Sequence, residues 1–138
     1  MGSTLVPYLT FNGDAKEAMK FYHSVLGGKL TMQTFGESKM GKTPAEKDLI
    51  IHATLQNKGL VFMASDSMPS RKAKFGDNVH MSISGSDRRK LTGVFNSLAD
   101  GGKIDMPLEK QFWGDTFGQV TDRFGIHWMV NITSSGRA

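Results

Sequence analysis

Two residue types in this chain are equipped for proton chemistry, and they stand at corresponding places in short extended runs: Tyr8 in Tyr8-Leu9-Thr10-Phe11 and His80 in His80-Met81-Ser82-Ile83. An imidazole changes charge near neutrality and a phenol donates a strong hydrogen bond, so such a couple could orient an oxyanion or move a proton. Alternate residues of a strand face opposite sides. Leu9, Phe11, Phe62, Ala64, Met81, Ile83, Trp128, Val130 and Ile132 then form one apolar set. The other set is mixed: Tyr8, Thr10, Met63, Ser65, His80, Ser82, Met129 and Asn131. It contains no Lys or Glu, the residues that surface faces ordinarily carry. This second set is therefore expected to line a cavity and bind a ligand, with Tyr8 and His80 as the catalytic candidates. Met63 and Met129 would give the lining a soft, polarisable floor. The plainer readings are a hydrogen-bonded core histidine and methionines that only fill space.

Other chemistries are excluded by type. There is no cysteine, hence no thiolate nucleophile, disulfide or cysteine-bound metal, and any ion must be held by His, Asp, Glu or Gln. No G-x-S-x-G elbow occurs, and Gly101-Gly102-Lys103 follows a helix instead of opening one, so it is not a phosphate loop. A class I methyltransferase would need a Gly-rich turn after its first strand and a parallel sheet, and the patterning offers neither.

The elements that must position these residues are written twice. Ala15, Ala18, Met19, Tyr22, Val25 and Leu26 fall on one face of a helix over 14–26. Asp14 and Glu17 read as a capping box, and Gly27-Gly28 as a left-handed stop. Leu91, Val94, Phe95, Leu98 and Ala99 repeat the plan, with Ser86 or Asp87 as cap and Gly101-Gly102 as stop. Three strand candidates follow each helix: 30–35, 49–56 and 60–65, then 104–108, about 118–122, and 127–133. Gly59-Leu60-Val61-Phe62-Met63 lines up with Gly125-Ile126-His127-Trp128-Met129. The chain thus divides into a module 1–66, a linker 67–78 rich in Pro, Ser, Lys and Gly, and a module 79–138. The run 35–48 reads as a mobile insertion. The run 106–118, with Phe112, Trp113 and Phe117, reads as a lid or dimer contact, which adds Trp113 to the ligand-binding candidates.

Several words in order, Tyr8-Leu9-Thr10-Phe11, Asp66-Ser67-Met68-Pro69, Phe112-Trp113, Gly118-Gln119-Val120-Thr121-Asp122 and the Asp122-Arg123-Phe124-Gly125 turn, make the chain resemble the PhnB-like branch of the vicinal oxygen chelate (glyoxalase, bleomycin-resistance, dioxygenase) superfamily. The resemblance covers nearly the whole chain. It implies an α+β fold in which tandem βαβββ modules form an open cup-shaped mixed sheet, usually in a homodimer. Metal-using relatives place a His or Gln on the first strand of each module and a Glu on the last. The matched positions here are Tyr8, Met63, His80 and Met129, and only His80 is a good ligand, because a thioether donates poorly to hard divalent ions. Nearby donors are His127, His52 on a middle strand, and Asp66 on the opposite face. No metal or other cofactor is therefore expected. The resemblance then implies a single-domain protein that binds a small organic molecule in a metal-free cup, as bleomycin-resistance proteins do. The competing reading is a glyoxalase- or dioxygenase-type enzyme using a divalent metal or His80 as acid or base.

Length and charge narrow the partners. A chain of 138 residues holds one ordinary domain. Its net charge of +4 comes from scattered groups such as Arg71-Lys72-Lys74 and Arg88-Arg89-Lys90, without interleaved aromatics, which argues against a nucleic-acid partner. No apolar run approaches the roughly 18 residues of a membrane span. A cytoplasmic protein without a membrane partner is expected.

Overall fold

The computed structural model describes residues 2–134, and the chain divides between Lys74 and Phe75 into two units. The first contains β1 (Tyr8–Phe11), α1 (Ala15–Leu26), β2 (Lys29–Thr34), a short α2 (Pro44–Lys47), β3 (Ile50–Asn57) and β4 (Leu60–Asp66). The second contains β5 (Met81–Gly85), α3 (Arg88–Ala99), β6 (Lys103–Lys110), β7 (Thr116–Thr121) and β8 (His127–Ile132). The strand orders β1-β4-β3-β2 and β5-β8-β7-β6 are the same topology. In each unit the first and last strands pair in parallel and the remaining pairs are antiparallel. These are two four-stranded mixed sheets, an α+β fold. None of the described helices is long and apolar enough to cross a membrane.

Burial follows the alternation read from the sequence. Phe11, Phe62 and Ala64 are buried with Ala15, Ala18, Met19 and Tyr22 of α1, and Tyr22 meets Phe62 edge-on at 5.8 Å between ring centroids. Trp128, Val130 and Ile132 are buried with Leu91, Val94, Phe95 and Leu98 of α3. Each fully buried large side chain contributes about 1.5–3 kcal/mol, so the helix side of each sheet dominates the stability of its unit.

The helix ends hold one surprise. Asp87 caps α3 as expected, accepting from the Lys90 N–H at 3.1 Å. Asp14 makes no side-chain cap to α1. The buried carboxylate of Asp66, at the end of β4, does that work instead, accepting from Gly13 N and Ala15 N on one oxygen and Ile50 N on the other, all at 2.9 Å. Asp66 thereby satisfies the first helical N–H of α1 and ties the helix start to β3 and β4.

Three spans differ from expectation. The run 35–48 folds on itself: Thr43 caps α2 by accepting from Glu46 N, while Lys42 N donates to the Glu46 carboxylate. Most of the run 106–118 is hairpin, since β6 continues to Lys110 and β7 begins at Thr116, so the connection shrinks to residues 111–115. β5 spans Met81–Gly85 and leaves His80 just ahead of it. The linker is tied back at its start and middle: Ser67 N donates to Phe11 O, and Asn12, just after β1, donates to Ala73 O and accepts from Ala73 N.

Candidate functional site

The face of each sheet turned away from its helix carries the sequence candidates. In the first unit, Tyr8 pairs with Met63, and Met63 with Thr54 on β3. Thr10 pairs with Ser65 one row along. Tyr8 is half exposed at 49%, and its hydroxyl lies 3.2 Å from His52 Nδ1, whose Nε2 lies 3.1 Å from Thr54 Oγ1. A phenol, an imidazole and a hydroxyl thus form one hydrogen-bonded chain. The sequence reading set His52 aside for its middle strand. It shares the strand parity of Thr54, one strand beyond Met63, and that parity was the available signal.

In the second unit, Met129 lies between Ser82 on β5 and Gln119 on β7, and Asn131 between Ser84 and Phe117. The Asn131 amide donates to the buried carboxylate of Asp115 at 3.1 Å. Trp113, in the β6–β7 connection, stacks edge-on between exposed Phe112 and half-buried Phe117, with centroids at 5.0 and 5.9 Å. It thereby reaches the row of Asn131. His80 lies against His127 at 5.4 Å between ring centroids. The two histidines share an open groove of about 610 Å³ with Asp77, Lys103, Asp105, Gln119 and Thr121.

The match between the two units is offset from the one read in sequence. Ser67 N donates to Phe11 O, and Thr133 N donates to Gly85 O. Phe11 therefore corresponds to Gly85, and Tyr8 to Ser82. His80 keeps the same face but stands two residues ahead of the place matching Tyr8, just before β5 begins at Met81.

The donor set does not fit a hard divalent ion. Met63 and Met129 present thioethers, and Asp66 is committed to three backbone N–H groups on the helix side of its sheet. Among the described residues no group of three or more His, Asp or Glu converges on a point.

Comparison with known proteins bears on these arrangements. A family model described as the Glyoxalase/Bleomycin resistance protein/Dioxygenase superfamily matches residues 4–130. Protein YjdN of Escherichia coli (strain K12) is 34% identical, over 93% of this chain and 94% of its own. The crystal structure of PA1353 from Pseudomonas aeruginosa is 38% identical with a TM-score of 0.87, covering 97% of this chain and all of that one. The PhnB protein from Bacillus cereus, described as a putative 3-demethylubiquinone-9 3-methyltransferase, is 28% identical with a TM-score of 0.78, over 95% of this chain and all of its own.

Proposed function

From the premise that this chain belongs to the glyoxalase/bleomycin resistance protein/dioxygenase superfamily, in its PhnB-like branch, we propose that it binds a small organic molecule without using a metal. The observation that carries this reading is the composition of the central row of each free sheet face, with charged groups standing in flanking rows, Lys29 opposite Gln56 and Lys103 and Glu109 opposite Thr121 and Phe117. The row Thr31–Thr54–Met63–Tyr8 and the row Met106–Gln119–Met129–Ser82 hold hydroxyls, an amide, a phenol and thioethers, and no carboxylate or ammonium. Such a surface suits an uncharged or planar ligand that accepts and donates a few hydrogen bonds over a soft apolar floor.

The test is native mass spectrometry with a thermal-shift screen of planar aromatic compounds, run with and without chelator. Stoichiometric binding that chelator leaves unchanged is expected. A divalent ion retained after chelator-free purification and needed for binding overturns the reading. The homodimer belongs to the same proposal, and a solution mass equal to one chain removes it.

The Tyr8–His52–Thr54 chain favours a second reading, an enzyme that moves a proton through Tyr8. Once a substrate is in hand, loss of turnover in Tyr8→Phe with binding retained supports it, and unchanged turnover in both Tyr8→Phe and His80→Ala ends it. The methyltransferase description of the Bacillus cereus protein is not carried over, since Gly101-Gly102-Lys103 closes a helix and both sheets are mixed.

A further inference from the structure

A carboxamide in the middle of the second unit's free face is left without a partner. Gln119 lies on β7 between buried Gly118 and Val120, so its own side chain stands on the face away from α3. It shares the groove of about 610 Å³ with Thr121, His127, Asp105 and Lys103. Those four are engaged with one another: Thr121 Oγ1 lies 2.9 Å from His127 Nδ1 and donates to Asp105, and Lys103 stands 3.9 Å from that carboxylate. The Gln119 amide is half-buried and bonds to no other described residue. Its neighbours across the sheet are both methionines, Met129 on β8 and Met106 on β6.

We propose that Gln119 is the specificity-determining residue of this face, and that it selects an uncharged planar ring carrying a hydrogen-bond donor and an acceptor side by side, as the edge of a lactam does. The inference rests on the reading that the face takes a planar organic ligand, and it names that ligand's chemical class. A carboxamide holds an acceptor oxygen and a donor nitrogen in one plane, the pattern through which Gln reads the complementary edge of a nucleobase. A ligand that covers the amide shuts out water, so both atoms must find their partners on the ligand. The flanking thioethers supply no donor and only a weak acceptor.

The surroundings fit a ring. Neighbouring strands lie about 4.8 Å apart, so a ring seated over either thioether, with the sulfur about 5 Å away, brings its edge to the amide. Charge does not select here, because the Lys103 ammonium and the Asp105 carboxylate offset each other one row along. The first unit has no equivalent reader. Its matching residue is Thr54, beside Met63, and the Thr54 hydroxyl is already engaged by His52.

Titration calorimetry with 2-quinolone, a two-ring lactam, and 1-methyl-2-quinolone, the same ring system without its N–H, tests this. The parent should bind the lactam about ten-fold more tightly, the worth of one or two hydrogen bonds. Gln119→Leu should bind the two alike. Gln119→Glu presents acceptors only and should prefer 2-aminoquinoline, whose protonated edge carries two donors, to the lactam. Equal affinities in the parent, a lactam preference that survives in Gln119→Leu, or a Gln119→Glu that still favours the lactam overturns the proposal. If neither quinolone binds the parent while other planar aromatic compounds do, this inference fails and the metal-free binding reading stands; if none binds, both fail.

Discussion

Single residues divide here into those that hold the fold and those free to act. Asp122 is 3% exposed, and its two oxygens accept from Phe124 N, Ile126 N and the Trp128 indole N–H, at 2.8–3.1 Å. Asp122→Ala strands those donors and should cost roughly 3 kcal/mol or more in urea unfolding, with Asp122→Asn losing less. Asp14 behaves oppositely. Partial burial, with no cap bond in return and the Asp66 charge nearby, raises its pKa. An acid whose folded pKa is raised opposes folding when ionised, and that penalty fades as pH falls through the raised value. Asp14→Asn should therefore raise Tm near pH 7 and have no such effect near about pH 3, below the ordinary carboxylate range. Tyr8→Phe should leave Tm within about a degree of the parent, because the residue is half exposed, while weakening any ligand that bonds to the hydroxyl. Tyr8, Met63 and Met129 were legible from alternation alone, because period-2 patterning survives in any sheet. The Tyr8–His52 bond was not, since it crosses from β1 past β4 to β3 and depends on strand order.

Among the elements, the repeated Gly-Gly-Lys tag carries a demand that its role as a helix stop does not reveal. The first glycine of each pair, Gly27 or Gly101, has φ of 71 or 79° and ends its helix. The second admits a neighbouring backbone: a Cβ on Gly28 would lie 2.4 Å from Gln56 O, and one on Gly102 2.3 Å from Thr121 O. Gly102→Ala should cost about 1–3 kcal/mol through this overlap. Gly28→Ala should cost more, because its φ of 90° strains any side chain. Thermal unfolding of the two variants checks the order. Helices and hairpin turns were legible because apolar spacing and glycines mark them. The β6–β7 hairpin was not, because Pro107, Gly118 and the aromatics between them read as a loop. Pro107 is tolerated on β6, an edge strand whose pairing shifts register twice nearby, and Gly118 leaves room for Phe95, 2.6 Å from where its Cβ would stand.

At the scale of the whole molecule, a duplicated plan was legible as two matched series of words, and the common strand order bears it out. The two-residue offset of β5 was not, because the run His80-Met81-Ser82-Ile83 looks extended from its first residue, although the spacing of the helix stops, Gly27 to Gly101, already matches Tyr8 to Ser82. If the free faces bind an organic ligand without a metal, chelator should leave Tm unchanged, whereas a ligand at a hundred times its Kd should add about 2.7 kcal/mol to the unfolding free energy. Scanning calorimetry measures both. The parallel closure of each unit also reaches into synthesis. Tyr8 pairs with Met63, and Met81 with Trp128, so β1 and β5 leave the ribosome long before their partners. At roughly 5–20 residues per second, each opening strand spends seconds with its backbone groups unpaired. Both are short, of 4 and 5 residues, which gives a neighbouring nascent chain little edge to grip while the closing strand is still being made.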